Sequence, residues 1–320
     1  MVIFLRAKIL MLSSSAKDEC NAQWAEQILT DVSAAFQHSF SIFQGKIGEK
    51  AMEAYGNPLP DKTVQDSQTC QAIFACDGES QGVSLLYDEL DLPLRVRSFT
   101  VPEALCGRNE KPVSLYVATV LSLDEDTLRR AMKIAFLMAQ EQDIRLCHIP
   151  PTGETREEWE AAVRVQEAAC PSQSAASLSA AQAIREIIQR PERMGFLICP
   201  PYAGSIMTSA AQALCAHPGV IHDTAWDEDA GVFSALLSPD GEEPSPISSA
   251  LTVAQLLRYS LKLQREAACV EAAVKNVIAS GWRAKEEGRA QDGAISADGM
   301  LQLICEQITV AGELMRRSSL

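Results

Sequence analysis

The sequence predicts a two-lobed α/β fold, with mixed, largely parallel sheets flanked by helices. Three observations carry this. Apolar runs of strand length alternate with segments of 3.6-residue periodicity along the whole chain. The 320 residues exceed what a single hydrophobic core usually serves. Hydrophobic residues make up 47% and charged residues 22%, a globular composition.

The elements follow in order. "MVIFLRAKILML" is apolar but interrupted by Arg6 and Lys8, and no small-residue cleavage site follows. It reads as a buried first strand rather than a signal peptide. A helix is expected from Asp18 to Phe36, its inner face Ala25, Ile28, Leu29, Val32 and Phe36. "QAIFAC" is a short strand and "SLYVATVLSL" a longer one. The next helix is expected to open on a capping box of Ser122 and Glu125, with an inner face of Leu128, Ala131, Ile134, Ala135 and Met138. "IRLCHI" is a strand, followed by a helix capped by Thr155 and Glu158. "LSAAQAIREIIQRP" is a helix stopped by Pro191. "LICPPYAGSIMTSAAQAL", Leu197 to Leu214, reads as a strand, a turn at Pro200-Pro201 and a helix opened near Gly204. "GVFSALL" is another strand, and the last eighty or so residues are helical, with Gly281 closing one helix. "SPDGEEPSPISS" and "GRAQDGAISADG" are polar loops.

The balance of charge narrows the function classes. Asp and Glu number 42 against 28 Lys and Arg, a net charge of -14, which disfavours nucleic-acid partners. No apolar run reaches the roughly 20 residues of a membrane span. Ten cysteines without a C-x-x-C pair, and four histidines, argue for reduced buried thiols in a cytoplasmic protein rather than a zinc site.

Ligands of open α/β sheets bind at the carboxyl ends of strands. At one such end, from Gly195 to Ile221, no Asp or Glu occurs. After the first strand, "SSSAKDE" lacks the glycines of a phosphate-cradling turn, and its serines read as helix caps. The clusters Asp88–Asp91, Asp124–Thr127 and Trp226–Gly231 read as helix-dipole partners or solvated acids rather than cation sites. His148 ends a strand and reads as structural, with a role as a base as the alternative. Arg95, Arg97 and Arg108 read as surface or interdomain ion-pair partners, with a carboxylate clamp as the alternative.

Two segments go further. "AYGNPLPDKTVQDSQTCQAIFAC" and "AQLLRYSLKLQREAACVEAAVKNVIASGWRAKE" resemble the corresponding stretches of 3-isopropylmalate dehydrogenases. "AKILML" and "ADGMLQLICEQI" are similar to the first strand and last helix of the wider isocitrate/isopropylmalate dehydrogenase family. The resemblance implies a first lobe of residues 1–97 plus 216–320 and a second of 98–215. It also implies NAD-dependent oxidative decarboxylation of a 2-hydroxy acid, with magnesium or manganese held by aspartates.

Carried over position by position, those aspartates fall at Ala181, Ser205 and Ser209, and the catalytic lysine falls near Ile149. No lysine occurs between Lys133 and Lys262. Arg95 and Arg108 match substrate arginines, and Tyr116 matches the catalytic tyrosine. Asp240 is a remnant of the adenine-binding loop. The segment that clasps a dimer mate in the family is missing after Tyr116.

The expectation is therefore a catalytically inactive family member with no metal ligand and no cofactor, acting as a binding, regulatory or partner subunit. Its partner surface would lie on the middle lobe, as a homodimer or within a heteromer. The alternatives are NAD-dependent decarboxylation of a 3-isopropylmalate-type acid, or small-anion binding in the old cleft.

Overall fold

Ile9, Leu10, Met11 and Leu12 have no exposed surface, so the first strand is buried on both faces, as the centre of a parallel sheet requires. The computed structural model describes residues 4–16, 18–103, 106, 111–215, 220–228, 230–236, 245–284 and 294–317. The chain begins β1 (Arg6–Ser13), α1 (Glu19–Phe36), β2 (Ser39–Lys46), α2 (Gly48–Tyr55), α3 (Asp61–Thr69), β3 (Ala72–Ala75) and α4 (Gln81–Glu89). It continues β4 (Leu94–Val101), β5 (Val113–Val120), α5 (Glu125–Glu141), β6 (Leu146–His148), α6 (Thr155–Ala169), β7 (Ala175–Ser177) and α7 (Ala180–Gln189). Then come β8 (Phe196–Cys199), α8 (Pro201–Cys215), β9 (Val220–Trp226), β10 (Gly231–Ala235), α9 (Pro246–Tyr259) and α10 (Gln264–Ala279). The two-residue strands β11 (Arg283–Ala284) and β12 (Ala294–Ile295) precede α11 (Ala297–Arg317).

Two compact units divide the chain. Met1–Asp91, His222–Thr224 and Glu228–Leu320 form the first, and Leu92–Ile221 with Ala225–Asp227 the second. The division expected between 97 and 98 falls inside β4, all of whose residues belong to the second unit.

In the first unit the strands run parallel in the order β2–β1–β3–β10. The predicted inner face of α1 is buried residue for residue, with Ala25, Ile28, Leu29 and Val32 at 0% exposure. Each such Leu or Ile contributes roughly 1.5–3 kcal/mol by leaving water. α1 packs against α9 and α11, and α10 packs against the same two helices. Polar ties add to this packing, and two of them, Asn21 with Ser249 and Trp24 with Asp298, join the two sequence segments. Asn21 donates to the Cys76 carbonyl at 2.9 Å and accepts from Ser249 Oγ at 2.8 Å, while Trp24 Nε1 donates to Asp298 at 3.0 Å.

In the second unit the order is β4–β5–β8–β6–β7. β4 and β5 are antiparallel and the remaining pairs parallel, which makes the fold mixed, as predicted.

Local expectations needed correction at four helix starts. Asp124, not Ser122, caps α5, accepting from Thr127 N at 2.9 Å. A carboxylate two residues nearer the helix, at the N-cap itself, reaches the third amide where the serine does not. α6 has no side-chain cap. α8 opens at Pro201 rather than Gly204, because proline at the first helical position loses only an amide that has no partner there. The serines after β1 do not cap α1, as described below. β2, β4, β7, β9 and the short β11 and β12 lie where the sequence pattern predicts no strand.

Candidate functional site

The second unit is built around β8. Its carboxyl end passes through Pro200 into α8, and Gly204 lets that helix lie on β5, since a Cβ there would stand 2.1 Å from Thr119 Oγ1. Ser205 and Ser209 are exposed on α8, one turn apart. Their hydroxyls bond their own helix, Ser205 Oγ donating to the Tyr202 carbonyl at 3.4 Å and Ser209 Oγ to the Ser205 carbonyl at 2.9 Å. Ala181 is exposed in the first turn of α7, whose capping box is Ser179 with Gln182.

The β4–β5 register places the other candidates. Arg95 lies opposite Thr119, and Tyr116 lies opposite Ser98. Directly opposed residues share a face and successive residues alternate. Arg95, Arg97 and Thr119 therefore lie on one face of the sheet, and Tyr116 on the other. The structure does not bring Arg95 and Tyr116 together. Tyr116 stacks on Phe196, with ring centroids 5.8 Å apart. Arg97 is buried. Arg108 and Asp240 lie outside the described residues. Ile149, at the lysine position, is buried and its amide donates to the Ile198 carbonyl at 2.8 Å. His148 is buried, its Nδ1 accepts from Trp159 Nε1 at 3.0 Å, and burial lowers its pKa. It is a core histidine.

The first unit has a site that sequence reasoning missed. β1 connects through α1 to β2 on one side, while β3 lies on its other side. The carboxyl ends of β1 and β3 thus flank a topological switch point, where such sheets carry ligands. Asp18 is fully buried there. Its carboxylate accepts from Ser13 Oγ at 2.8 Å, Ser14 N at 2.7 Å, Ser14 Oγ at 2.8 Å and Ser15 N at 3.2 Å. The expected roles are reversed: the acid closes the serine turn instead of the serines capping the helix. Asp77, after β3, meets the same Ser14 hydroxyl at 3.2 Å. One hydroxyl proton serves one carboxylate. Burial raises the pKa of Asp77, and the charge of Asp18 adds to the effect. Gly78 leaves room for Asp223, which is fully buried and whose Oδ2 would stand 3.2 Å from a Cβ at that position. "SSSAKDE" held the signal for this cluster, but a turn folding back on its own acid is not distinguishable in sequence from a capped helix.

A parallel unit with a switch-point crevice, joined in one chain to a mixed unit, defines a two-unit α/β protein of the kind that carries ligands at strand ends. The chain belongs to the isocitrate/isopropylmalate dehydrogenase family, whose model matches residues 106–304. Among relatives, 3-isopropylmalate dehydrogenase of Shouchella clausii is 20% identical, the match covering 89% of this chain and 93% of that one. The Acinetobacter baylyi enzyme of the same name is 23% identical, with coverages of 85% and 91%. The crystal structure of isocitrate dehydrogenase from Methylococcus capsulatus superposes with a TM-score of 0.79 at 17% identity, covering 95% of this chain and 99% of that one.

This membership corrects the expectation that no cofactor is used, because the family's dehydrogenases work with NAD and with magnesium or manganese. At the positions that the sequence resemblance carries over to metal ligands, however, the chain presents a methyl group and two hydroxyls that donate to their own helix. Without a carboxylate, that donor set does not fit a hard divalent cation. In the first unit, the amides of Ser14 and Ser15 in the β1–α1 turn are engaged by Asp18.

Proposed function

We propose that this chain is a family member that does not itself carry out metal-assisted oxidative decarboxylation, and that it acts as a binding, regulatory or partner subunit. The observation that carries this reading is the α7–α8 donor set of Ala181, Ser205 and Ser209, within a stretch free of Asp and Glu from Gly195 to Ile221. The metal-bound step of the family chemistry needs carboxylates that this chain does not supply at those positions.

The partner role is supported by α8. This 15-residue helix carries no charged side chain, yet Tyr202 is 51% and Ile206 53% exposed. An uncharged exposed helix on a strongly acidic chain suits contact with another protein surface.

The test is a steady-state assay of the purified chain with 3-isopropylmalate, isocitrate and malate, each with NAD or NADP and with magnesium or manganese. No reduced nucleotide is expected above background. Turnover of any of these acids would overturn the reading. Binding of NAD, measured separately, is compatible with it.

A further inference from the structure

A groove of about 690 Å³ lies between α1 and α2, at the carboxyl ends of β1 and β2, within the first unit. Gly45 is part of its lining, and a Cβ there would come within 2.8 Å of Leu12 Cδ2, so the glycine makes room for that core side chain beside the groove. Small side chains, Ala22 and Ala54, face it from the two helices.

The charges are of both signs. Lys50, whose side chain is 22% exposed, donates to Ser13 Oγ at 2.6 Å and to Glu19 at 2.7 Å. An ammonium has three donors, so one remains. Lys46 stands 5.8 Å from the Tyr55 ring centroid and makes no ion pair among the described residues. Among the described residues the Glu26 carboxylate accepts an amide bond from Gln44, at 3.2 Å, and makes no ion pair, and Glu53 makes no ion pair either. Once Lys50 and Glu19 are set against each other, one lysine and two glutamates stay available in one groove. A ligand of a single charge meets repulsion from part of this lining. A small molecule carrying an ammonium beside a carboxylate meets a partner for each.

We propose that this groove binds a small zwitterion of the α-amino-acid class, its ammonium toward Glu26 and Glu53 and its carboxylate toward Lys46 and the third N–H of Lys50. The site is also wired to the switch point. Lys50 holds Ser13 Oγ, Ser13 Oγ donates to Asp18, and Asp18 competes with Asp77 for the Ser14 hydroxyl proton. An occupant that draws on Lys50 therefore acts on the chain of contacts ending at Asp77.

The experiment is calorimetric titration of the full chain with glycine, leucine, lysine, glutamate and glutamine, and with propylamine and propionate as single-charge controls. At least one amino acid is expected to bind with one-to-one stoichiometry. Its affinity is expected to fall about tenfold or more in Glu53→Gln and in Lys46→Met, both exposed substitutions that leave the core untouched. Three results overturn the proposal: no binding by any amino acid, equal binding by either single-charge control, or binding unchanged in both variants. None of these outcomes depends on whether the chain turns over a hydroxy acid.

Discussion

His222 lies buried in β9, and burial brings its imidazole from the ordinary 6.5 down to about 4, against a smaller opposing pull from Asp223. Its Nδ1 has no hydrogen-bond partner among the described residues. The fold thus holds the neutral ring, while the unfolded chain takes up a proton near 6.5. The unfolded state binds more protons between these values, so stability rises with pH across the window and is lost as pH falls from about 6.5 to about 4. The loss attributable to this group is roughly 3 kcal/mol at most. Urea unfolding at pH 5 and pH 7 should show a smaller difference in His222→Leu than in the parent chain, and equal differences would refute the assignment. Residue chemistry of this kind was only partly legible. His148 was read correctly as structural, because a lone imidazole beside apolar strand residues is usually a core group. The Asp18 cluster was not, because its meaning depends on the turn bringing Ser13, Ser14 and Ser15 round one carboxylate.

Among the elements, the long amphipathic helices were plain in sequence, since an apolar stripe repeated over several turns leaves little ambiguity. β4 and β9 were not. Arg95 and Arg97 break the apolar run of the first, and His222 and Asp223 that of the second, so neither shows the unbroken apolar run or clean alternation that marks a strand. These polar residues are held because each lies in a sheet with a neighbouring helix or strand to cover it. Helix starts were legible as regions and not as residues. The α5 cap supplies a direct check. Asp124→Ala should cost about 1 kcal/mol, as loss of a capping side chain usually does, whereas Ser122→Ala should stay within about 0.5 kcal/mol, as for other exposed substitutions. Chemical denaturation of the two variants decides it, and a larger loss at Ser122 would return the cap to the position read from sequence. The Asp124 carboxyl is also held well below the usual range, chiefly by its hydrogen bonds to Thr127.

For the whole molecule, net charge and the α8 face work against each other. A chain of charge -14 repels its copies, while an uncharged helix exposing Tyr202 and Ile206 favours association. Raising ionic strength from about 0.01 to about 0.15 M shortens the screening length from roughly 30 to 8 Å. Self-association through α8 should therefore strengthen with added salt, and Ile206→Glu should abolish it. Sedimentation velocity at the two ionic strengths measures both, and a monomer at every salt concentration would leave α8 to a different partner or to none. At this scale the sequence carried most of the information. The alternation of strands and helices was readable from apolar runs and helical periodicity, and the family from the quoted segments, because spacing survives where catalytic residues have changed. The switch-point crevice was not readable, because strand order across a sheet is not written along a chain. No helix among the described residues is long and apolar enough to cross a membrane.

The contacts of Asn21 with Ser249, and of Trp24 with Asp298, carry a consequence for synthesis. The first strands leave the ribosome long before the helices that cover them. Between the two comes the segment from Leu92 to Asp227, roughly 130–140 residues, which at about 5–20 residues per second occupies on the order of ten seconds. Throughout that interval Ile28, Leu29 and Val32 lack α9 and α11, and the nascent chain must be sheltered by chaperones or by its own provisional collapse. The middle unit, contiguous in sequence but for its last few residues, is free to form first. A pause in translation after Asp227 would thus leave that apolar face half covered for longer.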